Sequence, residues 1–190
     1  QVFLGPEALN HYAAFLKSLG GLLWLARGIL LVAVFAHIGS GIRLAYLNTK
    51  ARPERYRVQK SMHTNLFAKT MALSGLTLLA FIVYHLLHFT FGVTNAETYG
   101  LEDSLGRHDV YAMVVGSFAN PAISGVYVVS MALLGMHLSH GCSSFFQSLG
   151  LNHPKYNGLI QKVGPTLGIL IFIGNAAMPV AVLLGLVTLH

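Results

Sequence analysis

Apolar and polar positions fall along this chain in long blocks, not in alternation. Four apolar blocks run over roughly 20–47, 66–93, 119–148 and 164–189, separated by shorter polar stretches. Each is longer than the roughly 20 residues that carry a helix across a bilayer. Only helices and closed barrels satisfy every backbone group in lipid, and unbroken apolar runs of this length select helices. The pattern therefore predicts an all-α membrane protein, a transmembrane helix bundle with residues 1–190 as one domain. Gly20-Gly21 opens the first block. Asn120 is placed to cap the third, with Pro121 in its first turn, and Gly164-Pro165 is read as opening the fourth. Pro179 falls inside that last block and is expected to kink it.

Charge then orients the bundle. The stretch "NTKARPERYRVQK" holds Lys50, Arg52, Arg55, Arg57 and Lys60 against Glu54 alone. The next connection carries Glu97, Glu102, Asp103 and Asp109 against Arg107, and the third is basic again with Lys155 and Lys162. Cytoplasmic loops are enriched in Lys and Arg, so loops 48–65 and 149–163 are assigned to the cytoplasm of a multi-pass protein of the bacterial cytoplasmic membrane. Gln1 then begins on the outer side. Nothing in the chain resembles a signal peptide, so a further spanning helix upstream of Gln1, five in the native chain, is expected.

Composition narrows the chemistry. Of 190 residues 54% are hydrophobic, with twelve basic and six acidic side chains. One cysteine, Cys142, cannot form a disulfide or a thiolate cluster within this chain. There is no phosphate loop, dinucleotide fingerprint or Ser-His-Asp spacing. The cytoplasmic loops account for the net charge of +6, which leaves little for nucleic acid. The ten histidines are out of place in a lipid-spanning chain, because an imidazole there needs a partner. His37, His85 and His137 sit well inside three of the blocks. Counting back from the cytoplasmic ends at ~1.5 Å per residue puts His37 and His137 at one level, with His85 in the outer half.

Two imidazoles at one depth on two helices suit bis-histidine ligation of a b-type haem. Gly41 and Gly141 each follow their histidine by four residues, on the same helix face, and leave room for a flat macrocycle. Ala33 clears the other side of His37. The competing reading is a histidine that hydrogen-bonds to a neighbouring helix and nothing more. His140 lies three residues beyond His137 and is placed for a haem propionate, a quinone oxygen or a helix cap. His88 is explained by an interfacial position, and His63, His108 and His153 fall in loops. A cation pathway is disfavoured because all six acids lie in loops or near the termini. His85 lacks a partner at its own depth, so a second haem would need a ligand from outside this sequence.

The segments "FAHIGSGIRLAYLNTKARPERY", "FIVYHLLHFTFG" and "LLGMHLSHGCSSFFQSLGLNHP" resemble the second to fourth helices of the succinate dehydrogenase/fumarate reductase cytochrome b subunit, of the single-chain, five-helix, two-haem type. The opening "QVFLGPEALNHYAAFL" is similar to the segment that follows that family's first helix. The resemblance implies a membrane anchor that passes electrons from an iron–sulfur subunit, supplied by a flavoprotein subunit that oxidises succinate, to menaquinone or ubiquinone. It implies His37 and His137 as axial ligands of the haem near the cytoplasm, and His85 as a ligand of the second. The first histidine of "HLSHG" matches the family's ligand position, which selects His137 over His140. Arg43 and Lys69 are placed for propionates of the inner haem and Arg27 for the outer one. Ser40, Arg43, His63, Lys69 and His140 are the quinone candidates. Two other readings stay open: the di-haem anchor of a hydrogenase or formate dehydrogenase, and a haem-free transporter or assembly subunit.

Overall fold

The chain, a computed structural model, is described over residues 1–51, 71–151 and 153–189. A 3₁₀ turn at Val2–Leu4 leads into α1 (Pro6–Ser18), whose first turn carries Pro6 where an N–H would have no partner anyway. Gly20 turns the chain with φ 52° into α2 (Gly21–Lys50), and α3 spans Met71–His85. A π-helical turn, Leu86–Thr90, extends α3, with Phe91 N–H donating to the Leu86 carbonyl at 2.9 Å. Then come α4 (Ala96–Tyr99), α5 (Val110–Phe118), α6 (Pro121–Ser148) and α7 (Pro154–Leu183). Four of these helices are long and apolar enough to span a membrane: α2, α3 with its π turn, α6 and α7. The predicted all-α membrane bundle is the observed architecture.

The caps agree with the sequence at one end and correct it at the other. Asn120 caps α6 by accepting from the N–H groups of Ala122 and Ile123, with Pro121 behind it. The fourth span starts at Pro154, not near Gly164. His153 caps it, its Nδ1 accepting from Lys155 N–H, and Pro165 lies inside the helix. Of the connection 149–163, the part from Pro154 on belongs to α7, so Lys155 and Lys162 ride on the helix itself, and Gly150 before it has a positive φ of 74°. Gly164 stays helical because it packs, not because it breaks: a Cβ there would run into the Ser139 carbonyl on α6. Gly135 and Gly168 face each other in the same way. With lipid on the outside, close backbone approach at small residues is what holds two such helices together.

Packing is uneven along the bundle. The N-terminal segment, the 92–109 connection and the C-terminus gather at one end, where Tyr111 donates to the Thr188 carbonyl and Asn10 meets Asp109. The buried cluster of Val2, Tyr111, Val115, Phe118, Tyr127 and Val182 lies at this end. By contrast α2 has no buried residue, and its apolar side chains, Trp24, Val32 and Phe35 among them, face outward.

A candidate two-histidine site between helices

His37 on α2 and His137 on α6 come together, with ring centroids 6.1 Å apart and planes at 75°. Two imidazoles that bind opposite sides of one metal through nitrogens at about 2 Å have centroids about 6 Å apart. The depth argument therefore selected two rings that do meet. Gly41 and Gly141, one turn further on, have no neighbour within 4 Å of where a Cβ would sit. On α2 this openness is shared by Gly21, Gly28 and Gly39, since no residue of that helix is buried. Among the described residues no group of three or more His, Cys, Asp or Glu gathers around a point, so the arrangement is a pair. Two imidazoles are a donor set that a b-type haem could take, and 6.1 Å at 75° is also the spacing of two rings packed edge to face.

A third helix supports the pair. Ser74 of α3 is buried and its Oγ lies 3.0 Å from His137 Nδ1. Its neighbour Gly75 lies alongside the ring, where a Cβ would stand 3.6 Å from His137 Cε1. Neither residue was singled out in the sequence, since "MALSGLTLLA" reads as an ordinary apolar run. A small polar residue next to glycine in a spanning helix is the signal that marks such a contact.

His140 does not join the pair. Its Nε2 lies 3.2 Å from the Ser144 hydroxyl, one turn along its own helix. Ser40 and Arg43 are exposed on α2 beyond His37, and Arg27 lies with its guanidinium 5.0 Å over the Trp24 ring. His63 and Lys69 lie outside the described residues.

The two histidines of α3 are unequally buried. His85 is on the exposed side of the helix, while His88, read as interfacial, has no exposed surface at all. His88 Nδ1 is 2.9 Å from the Tyr127 hydroxyl, and the same hydroxyl is 3.4 Å from His85 Nδ1. Tyr84 stacks on the His88 ring, with centroids 5.4 Å apart, and Phe89 lies 4.1 Å away on centroids. His88 Nε2 is buried and has no hydrogen-bond partner among the described residues. The π turn over 86–90 widens the angle between the two side chains, and both rings still reach the Tyr127 hydroxyl.

At the packed end the connection is tied to α1. Arg107 donates from both terminal nitrogens to Glu7, at 2.6 and 3.0 Å, and from Nε to Asp103 at 2.7 Å. Asn10, 2% exposed, donates to Asp109 at 2.9 Å and accepts from Tyr111 N–H at 2.9 Å. The Arg107 hydrogen bond holds the Glu7 carboxyl below its ordinary range, and the two carboxylates raise the guanidinium further. Burial pushes Asp103 upward, but hydrogen bonds from Arg107 and from Leu105 N–H outweigh it and leave its carboxyl low. Burial, helped by Lys17, lowers His108.

Fold and site together define a multi-pass helical membrane protein with paired intramembrane histidines. Comparisons with family models, curated proteins and solved structures return no match.

Proposed function

We propose that the chain is the haem b-containing membrane anchor of a succinate:quinone oxidoreductase, passing electrons from an iron–sulfur subunit to quinone. The observation that carries this reading is the His37–His137 pair, two imidazoles from separate spanning helices with ring centroids 6.1 Å apart. The quoted resemblance of α2, α3 and α6 supplies the enzyme class. Haem bound there supplies one-electron transfer, while the protein binds, orients and tunes it. His37 and His137 would hold the iron, and Ser74 lies within hydrogen-bond distance of His137. Gly41 and Gly141 leave room for the macrocycle edge. Arg43, with Lys69, serves the propionates, and the quinone candidates remain Ser40, Arg43, His63, Lys69 and His140. His85 on the exposed side of α3 is the proposed ligand of a second haem, whose other ligand lies outside this sequence.

The test is a dithionite-reduced minus oxidised absorption spectrum of the purified complex, with haem counted per chain and co-purifying subunits identified. A b-type spectrum, lost from the inner haem in His137→Ala and kept in His140→Ala, is the expected result. Co-purification of a flavoprotein and an iron–sulfur subunit with succinate:quinone activity completes it. A haem-free complex removes the cytochrome reading. A hydrogenase or formate dehydrogenase partner would transfer the anchor to another enzyme.

A further inference from the structure

The Ser74 hydroxyl has two claims on it. It lies 3.0 Å from His137 Nδ1, and it donates to the Met71 carbonyl on its own helix at 3.1 Å. A serine hydroxyl has one hydrogen to give, and its lone pairs only accept. The carbonyl can only accept, so both contacts are hydrogen bonds together only when the hydrogen goes to Met71. Toward His137 the oxygen is then an acceptor, and the proton shared between them is the one on Nδ1. A neutral imidazole with its proton at Nδ1 has its lone pair at Nε2. At 7% exposure, Ser74 keeps this choice out of reach of bulk water.

We propose that Ser74 is a positioning residue that sets the tautomer and ring angle of His137, so that Nε2 is the unprotonated, metal-binding nitrogen. This rests on the reading of His37 and His137 as haem ligands. Ligating histidines are commonly held through the other ring nitrogen, which also makes the ligand more basic. A more basic ligand favours ferric over ferrous iron, so Ser74 keeps the potential of this haem low. His37 on α2 has no equivalent contact among the described residues, which makes His137 the fixed ligand of the pair and His37 the one that closes on it.

The experiment compares wild type, Ser74→Ala, Ser74→Cys, Ser74→Thr and the control Thr77→Val in the purified complex. Among the described residues Thr77 bonds only to the Leu73 carbonyl, on the exposed side of the same helix. Haem per chain, the potentiometric midpoint and the low-temperature EPR signal of the ferric haem are read for each. Ser74→Ala is expected to weaken haem retention about tenfold or more and to shift the midpoint upward. A tenfold change in the ferric-to-ferrous preference is about 59 mV for one electron. Ser74→Cys, a weaker acceptor of similar volume, shifts it the same way by less, while Ser74→Thr and Thr77→Val stay at the wild-type value. An unmoved midpoint and EPR signal in Ser74→Ala, or in Ser74→Cys should the alanine variant not accumulate, overturns the role of Ser74 and leaves the histidine pair standing. Absence of b haem from wild type overturns the pair and Ser74 together.

Discussion

His88 is the most demanding side chain in the fold, because an imidazole sealed among aromatic rings needs a partner for at least one nitrogen. Tyr127 provides it, at 2.9 Å from Nδ1. Tyr127→Phe leaves that nitrogen unsatisfied as well as Nε2 and is expected to cost about 1–3 kcal/mol. Tyr84→Phe, whose ring stacks on the other side of the same imidazole, is expected to change little. Unfolding of the two variants in mixed detergent micelles compares them directly. Residue identities in "HLLH" could not separate His85 from His88, because an α-helix puts positions three apart on neighbouring faces. The distinction lies in the backbone, where the π turn sits. The meeting of α2 and α6 at His37 and His137 was legible from depth, while the choice of His137 over His140 came from the resemblance.

At the scale of elements, the contact between α6 and α7 is the most closely packed in the bundle. A side chain at Gly168 would meet the Gly135 carbonyl and the Ser139 hydroxyl. Gly168→Val is therefore expected to lose about 1–3 kcal/mol through overpacking, and Gly174→Ala, which faces open space, nothing measurable. Resistance to SDS-driven unfolding is the readout. The long helices were legible because hydropathy marks them at their centres. Their ends were less so. "Gly-Pro" at 164–165 reads as a helix start by composition, yet it is interior, because Gly164 is there to admit a neighbouring backbone and Pro165 faces outward. The short helix α5 went unread, since nine residues following a polar loop carry too few periods to show a face.

For the whole molecule, the clasp of Glu7, Arg107, Asp103 and Asn10 ties the first helix to a loop about one hundred residues away in sequence. Glu7 and Asp103 have folded values below their ordinary ones, so their contribution is present above the unfolded carboxylate range and is lost as pH falls through the lower folded values. His108 is also lowered, which favours its neutral form. Its contribution is present above an unfolded value of about 6.5 and declines as pH falls toward the folded one. Acidification is thus expected to loosen the 101–110 connection in two stages, a small one below about 6.5 from His108 and a larger one below about 4 from the carboxylates. Amide hydrogen exchange at Asp103, Arg107 and Tyr111 follows it. None of these pairings was legible from sequence, where the acids of the loop served only to orient it against the membrane.

The uneven packing also bears on how such a protein is put together. The end that carries the clasp and the aromatic cluster closes with side chains the chain itself supplies. The level of His37 and His137 does not, because α2 brings almost nothing there except one imidazole and two glycines. Of the four spans α2 is the one that the rest of the chain holds least, and among the described residues its ring contact with α6 is the imidazole pair.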